Sequence, residues 1–181
     1  MKIPLPAPDE FAPFYADYIQ RAAARGDIHA ALPLQLDELG SALGPLSDSQ
    51  ARFKPGPGEW SIKEVLSHLI DTERIFAYRF LRISRKDKTP LPGFEQDDFV
   101  RESRADEIPL ASLLAEFDAA RRSTILMIEH AKESAFSEVG SASGAAVSAG
   151  ALAHMIVGHV EHHMASLKEK YLPHAQPKGI S

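Results

Sequence analysis

Long segments of this 181-residue sequence repeat apolar residues every three or four positions, and clusters of proline and glycine separate them. This spacing places the apolar side chains on one face of an α-helix, whereas a half-buried strand would alternate apolar and polar residues. The pattern predicts four long helices, over about 27–44, 60–85, 109–133 and 147–171, after a first helix over about 9–24. The fold class is therefore all-α, and four long helices predict a four-helix bundle.

The connections between these helices differ in length. A chain of this size suits a single domain, 1–181, with an extended N-terminal segment over 1–8 and a tail over 172–181. The connection over 86–108 is too long for a simple turn and predicts a crossover or a lid. The glycine- and serine-rich stretch 140–144 is expected to be a flexible surface loop.

The start of the third predicted helix carries the clearest local signal. Ser61 is a favoured N-cap residue, and Glu64 follows three positions later, so the two predict a capping box. The face of this helix that would turn to the core is apolar except at Glu73.

Composition excludes several classes of chemistry. The chain has no cysteine, which excludes disulfides, cysteine nucleophiles and thiolate metal sites, but it has eight histidines. Its formal net charge of −5 argues against nucleic-acid partners and a basic membrane-binding surface. No segment predicts a signal peptide or a membrane span, so the expected location is the cytoplasm.

Two histidines interrupt the apolar face of the last predicted helix. His159 and His163 stand four positions apart between Ile156 and Leu167, which places them about 6 Å apart on one side of the helix. The plainer interpretation is a pair of hydrogen-bonded core histidines, although burying two polar rings is costly unless both find partners. His162 lies on the flank of this face and is a weaker candidate ligand.

A third ligand is expected from another helix, and His68 lies beside the apolar face of the helix over 60–85. Asp71, one turn further on, could orient the His68 ring as a hydrogen-bonded carboxylate. Alternatively, Asp71 and Glu73 form ordinary salt bridges with Arg74 or Lys63.

Three stretches of the sequence together resemble the DinB-like (DinB/YfiT) superfamily. They run from Pro57 to Ile83, from Thr89 to Val100 and from Gly158 to His163, and the resemblance follows the chain in order over nearly its whole length. It implies a four-helix bundle with a long crossover connection. It also implies a metal site made by one histidine of the second long helix and two of the last, which here are His68, His159 and His163. This sequence departs from the family at 147–151, where small residues are expected to fray the start of the last helix.

Three histidine ligands leave a divalent ion at least one open coordination position, as catalytic sites do. The resemblance implies a metal-dependent transferase that uses a low-molecular-weight thiol, because some relatives resemble bacillithiol- or mycothiol-dependent enzymes. The alternatives are a hydrolase that activates water and a non-catalytic, dimeric metal-binding module of the stress response. Zinc, nickel and iron all suit imidazole ligands. Glu73 and Tyr78 are candidates for proton transfer.

The first predicted helix carries an aromatic stripe. A homodimer could form through this stripe, although packing of the stripe over the bundle is the simpler use. The expected partners are otherwise a small-molecule substrate or a thiol. The stripe consists of Phe11, Phe14, Tyr15 and Tyr18.

Overall fold

The computed structural model describes residues 3–175. Its helices are α1 (Ala16–Arg25), α2 (Ile28–Leu43), α3 (Ile62–Ser84), α4 (Gln96–Ser103), α5 (Leu110–Glu129), α6 (Ala149–Ser166) and the single turn α7 (Leu172–Ala175). A π-helical segment, Leu167–Tyr171, joins α6 to α7. The strands are β1 (Val139–Ala142) and β2 (Ala145–Ser148), and short 3-10 turns lie at Pro8–Glu10, Pro13–Tyr15, Gln50–Arg52, Ala105–Glu107 and Glu133–Ala135.

The four long helices α2, α3, α5 and α6 form the bundle. Both α2 and α3 pack against α5 and against α6, so helices that follow each other in sequence, α2 and α3, occupy opposite corners. The connection from α3 to α5 crosses the bundle and contains α4. The predicted all-α fold with a long crossover connection is confirmed.

The predicted capping box begins α3. The Ser61 hydroxyl accepts a hydrogen bond from the Glu64 backbone N–H at 3.0 Å, and the Glu64 carboxylate accepts one from the Ser61 N–H at 2.7 Å. Both otherwise orphaned donors of the first turn are thereby satisfied, and the helix starts where the sequence predicts.

The prediction of a flexible loop over 140–144 is wrong. These residues belong to a β-hairpin in which Val139 pairs with Ser148 and Ala142 with Ala145. Ser143 and Gly144 form its two-residue turn, and both have positive φ, as a type I′ turn requires. The crossover segment joins the hairpin, because Leu91 N–H donates to the Ser141 carbonyl and Leu91 carbonyl accepts from Ser143 N–H.

The start of the last helix also differs from the prediction. The small residues over 147–151 end β2 and then begin α6 at Ala149, with the Ser148 hydroxyl capping the first turn through the Ala151 N–H at 2.9 Å. Gly150 is buried, and a Cβ there would come within 3.0 Å of the Phe136 carbonyl oxygen. The helix therefore does not fray at this end, since its small residues are needed for close packing.

The first helix begins later than predicted. Two 3-10 turns precede α1, which starts at Ala16 because Pro13 lacks an N–H and disfavours helical geometry in the residue before it. The extended segment predicted over 1–8 already turns at Pro8, and residues 1–2 lie outside the described range. The tail predicted over 172–181 is helical as far as Ala175, and the rest is likewise not described.

Among residues 3–175, no helix combines the length and the apolar character needed to cross a membrane.

Candidate metal centre

The three histidines selected from the sequence meet at the interface of α3 and α6. His68 projects from α3, and His159 and His163 project from successive turns of α6. Their candidate ligand nitrogens all lie within 4.8 Å of one another, and the Nε2 atoms of His68 and His159 are 2.9 Å apart. His68 and His159 are buried, whereas His163 is half-buried and faces outward. The structure therefore brings together the whole predicted ligand set.

Close helix packing and aromatic contacts hold these rings in place. The Trp60 ring lies 4.9 Å from His68 between ring centroids, and Tyr18 and Phe76 lie 5.4 Å and 5.9 Å from His159. Tyr18 reaches His159 because α1 packs against α6 at Gly158, which has no side chain to keep the helices apart. These ring contacts restrict the rotation of the imidazoles.

Burial keeps the three imidazoles neutral at physiological pH. Loss of hydration, followed by repulsion from His162, lowers the pKa of His68 to about 4. Burial and repulsion from His68 lower the pKa of His163 to about 3, and the pKa of His159 falls well below its usual value for the same reasons. A neutral imidazole keeps the nitrogen lone pair that a metal ion requires.

The donor set fits a divalent metal ion. Tetrahedral coordination by imidazole at about 2.0–2.1 Å separates the ligand nitrogens by about 3.3 Å. The distance between the His68 and His159 nitrogens, 2.9 Å, would have to increase by only a few tenths of an ångström. The His163 nitrogen, within 4.8 Å of the other two, would have to move closer by at most about 1.5 Å. Three neutral ligands leave the charge of the ion uncompensated and a coordination position open.

Two cavities open at the histidines. The first, here called the Trp60 cavity, has a volume of about 310 Å³ and is lined by Glu59, Trp60, His163 and Tyr171 among others. The second, here called the Phe76 cavity, measures about 570 Å³ and is lined by His68, His159 and several aromatic rings, including Phe76. Asp97, from α4 of the crossover connection, lines both.

The residues proposed for proton transfer lie in other surroundings. Both oxygens of Glu73 accept hydrogen bonds from the fully buried guanidinium of Arg121, at 2.9 Å and 2.8 Å. Tyr78 is about half exposed and its hydroxyl contacts Arg82 on the bundle surface. Glu73 therefore stabilises the core, and Tyr78 borders neither the Trp60 cavity nor the Phe76 cavity.

The two remaining candidates from the sequence, Asp71 and His162, form ion-pair or hydrogen-bond contacts with other side chains. Asp71 lies 4.0 Å from Arg74, the salt bridge that was the plainer of its two interpretations. His162 bonds Asp17 of α1 at 3.0 Å and lines the Trp60 cavity beside His163, but it is not part of the group of candidate ligand nitrogens.

Sequence reasoning missed several residues that surround the centre. Thr72 and Phe76 follow His68 at four-residue intervals and line the same cavity, so helical spacing alone carried that signal. Asp97 had no such signal, because its position depends on the path of the crossover connection. The aromatic stripe of the N-terminal segment packs over the site through Tyr15 and Tyr18, while Phe14 remains 78% exposed.

Comparison with known proteins supports this description of the fold. The sequence matches a family model described as the DinB superfamily over residues 31–167. The structure resembles YfiT from Bacillus subtilis, described as a probable metal-dependent hydrolase with an unusual four-helix bundle topology. The TM-score is 0.72 at 16% identity, over 88% of this chain and 91% of YfiT.

A second solved structure shares the fold over a shorter length. The mycothiol-dependent maleylpyruvate isomerase gives a TM-score of 0.65 at 13% identity, over 77% of this chain. The match covers 59% of the isomerase, so this chain spans less than two thirds of its length. Among curated protein sequences, none matches this chain.

Proposed function

This chain belongs to the DinB superfamily, and from that premise we propose that it is a metal-dependent transferase that conjugates a low-molecular-weight thiol to an electrophilic small molecule. His68, His159 and His163 hold the divalent ion. The thiol is a cosubstrate from solution, since the chain itself has no cysteine.

The observation that carries this proposal is the meeting of two cavities at one group of histidines. His163 lines the Trp60 cavity, and His68 and His159 line the Phe76 cavity. Transfer between two molecules requires that both reach the same centre, whereas hydrolysis requires only one organic substrate and water. Two separate approaches therefore favour a reaction of two substrates.

The ion would supply positive charge that favours the thiolate form of a bound thiol near neutral pH. The sulfur then bonds to the electrophilic carbon of the second substrate, the leaving group departs with its electron pair, and the thiol proton passes to solvent. Within the chain, Trp60 and Tyr18 orient the imidazoles by ring contact. Asp97 provides a carboxylate between the two cavities.

Hydrolysis by metal-activated water is the second candidate. The description of YfiT as a probable metal-dependent hydrolase favours it, and the same open coordination position would serve a water molecule. The two candidates differ in one measurable respect, which is the dependence of turnover on added thiol.

The test uses the full chain, purified without an affinity tag and reconstituted separately with zinc, nickel and iron(II). Conjugation of 1-chloro-2,4-dinitrobenzene is followed with bacillithiol, mycothiol, cysteine and coenzyme A, and hydrolysis of an aryl ester is followed without thiol. We expect conjugation above the metal-stripped control with at least one thiol. His159→Ala should abolish this rate and His162→Ala should retain it. Ester hydrolysis without any conjugation would instead support the second candidate, and no metal-dependent rate in either assay would overturn both.

A further inference from the structure

The Phe76 cavity has the size and the lining of a site for an aromatic ligand. Its volume of about 570 Å³ lies within the range of small-molecule sites, and five phenylalanine and tyrosine side chains line it. The Tyr15 and Phe76 rings meet edge to face at 6.1 Å between centroids, which leaves ring faces available to a planar group. The aromatic wall consists of Phe14, Tyr15, Tyr18, Phe76 and Phe94.

One buried polar group in this wall lacks a partner. Thr72 is 2% exposed, lines the cavity one helical turn after His68, and its hydroxyl has no hydrogen bond within residues 3–175. A threonine inside a helix commonly bonds the carbonyl four residues earlier, and a buried hydroxyl that makes no bond is costly. A polar atom of a bound ligand would satisfy it.

The charged side chains that line the cavity are acidic. Glu95 and Asp97 lie on its rim, and its described lining contains no lysine or arginine. The buried guanidinium of Arg79 lies behind the wall, where its Nη2 donates to the Pro92 carbonyl and to the Ser143 hydroxyl. A ligand carboxylate at the Glu95 and Asp97 end of the cavity would therefore meet like charge, and no cationic side chain of the described lining would offset it.

We propose that the Phe76 cavity binds an aromatic substrate that is uncharged or cationic apart from the group held at the metal ion, and that Thr72 hydrogen-bonds this substrate. This inference rests on the proposed function, because the ion anchors the reacting end. It names the second substrate of that reaction as an aromatic electrophile and excludes aromatic compounds that carry a carboxylate at the end remote from the ion.

The test is a binding series that does not depend on turnover. Benzohydroxamates with a 4-aminomethyl, 4-methyl or 4-carboxy group share one metal-binding end and differ in charge at the other. Calorimetry on zinc-loaded protein should give the lowest Kd for the cationic probe and the highest for the carboxylate. We expect a ratio of about tenfold or more between the two at low ionic strength, which should shrink as salt is added. Equal Kd values would overturn the inference.

Matched variants distinguish the effect of the carboxylates that line the cavity from the effect of the protein's net charge on probe binding. Glu95→Gln combined with Asp97→Asn should abolish the preference for the cationic probe. Glu102→Gln, which removes a carboxylate of α4 outside the cavity, should keep it. Thr72→Val should raise the Kd of all three probes severalfold, and an unchanged Kd would contradict the role of Thr72.

Failure of the proposed function gives a different result. Zinc content is measured before each titration. Protein that binds no zinc would refute the metal site itself, whereas zinc-loaded protein that binds the probes without regard to charge would refute only the substrate class.

Discussion

The close approach of α1 to α6 at Gly158 can be tested with a single methyl group. At Gly158 of α6, an added Cβ would lie 1.9 Å from the carbonyl oxygen of Tyr18 and 2.5 Å from its carbonyl carbon. These are backbone atoms of α1, so no side chain can rotate to relieve the clash. Gly158→Ala must therefore move α1 away from α6 by about 1.5 Å to reach an ordinary van der Waals distance.

Two opposing effects determine how much Gly158→Ala changes the free energy of unfolding. Overpacking a well-filled interface costs about 1–3 kcal/mol and sometimes more, and a rigid backbone contact places this site at the upper end. Alanine gains about 1 kcal/mol over glycine inside a helix, which offsets part of that cost. We expect the free energy of unfolding to fall by about 2 kcal/mol. Zinc affinity should fall as well, because Tyr18 would move away from His159.

The assay is urea unfolding followed by circular dichroism, with zinc titration of the same samples. Gly40→Ala is the matched control, since Gly40 also lies inside a helix, α2, and an added Cβ there meets nothing within 4 Å. The control should gain up to about 1 kcal/mol. If Gly158→Ala were as stable as Gly40→Ala, the close contact between α1 and α6 would be refuted.

Three further predictions concern the histidines and the discarded proton-transfer candidates. Because the pKa of His68 falls to about 4 on folding, its contribution to stability is complete above pH 6.5 and declines below it; by pH 5 the metal-free protein should lose about 2 kcal/mol through this residue. Urea unfolding at pH 7.5 and pH 5 should show this loss in the wild type and a smaller one in His68→Gln. Glu73→Gln leaves the buried Arg121 charge unpaired and should cost about 3–5 kcal/mol in the same assay, whereas a stable variant would contradict the buried ion pair. Tyr78→Phe removes a surface hydroxyl and should change stability by less than about 0.5 kcal/mol, with zinc content unaltered.

Helix positions were largely predictable because their signals are local. Ser61 and Glu64 mark the start of α3 through a reciprocal pair of hydrogen bonds that involves only the first turn. The first helix, predicted to end at about residue 24, ends at Arg25, and Gly26 follows it with a positive φ. The start of the same helix was mispredicted, because apolar spacing continues through Pro13 although the helix does not.

The hairpin was not predictable from local pattern. Its residues are small and do not alternate in polarity, and strand β1 is stabilised by Leu91, which approaches from the crossover connection about 50 residues earlier in the chain. The turn at Ser143 and Gly144 reads in sequence as ordinary loop composition. Tertiary pairing therefore decided the structure of this segment.

In the candidate site, too, local spacing predicted some residues, whereas contacts between distant segments could not be predicted. His159 and His163 follow from helical spacing on one apolar face, and His68 was selected from its position on another helix and from the family resemblance. The ion pair of Glu73 could not be predicted from local sequence, because its partner Arg121 is 48 residues away on α5. The Phe76 cavity is lined by the N-terminal segment and the crossover connection, and Asp97 of that connection also lines the Trp60 cavity. Helical periodicity carries no information about where these segments pack.

The metal content of four alanine variants tests the central claim most directly. Each is purified without a tag, exposed to equimolar zinc and analysed after removal of unbound metal. We predict that His68→Ala, His159→Ala and His163→Ala each lose most of the bound zinc, while His162→Ala retains the wild-type amount because His162 bonds Asp17 instead. Equal zinc content in all four variants, or loss confined to His162→Ala, would contradict the assignment of these three histidines as the metal centre.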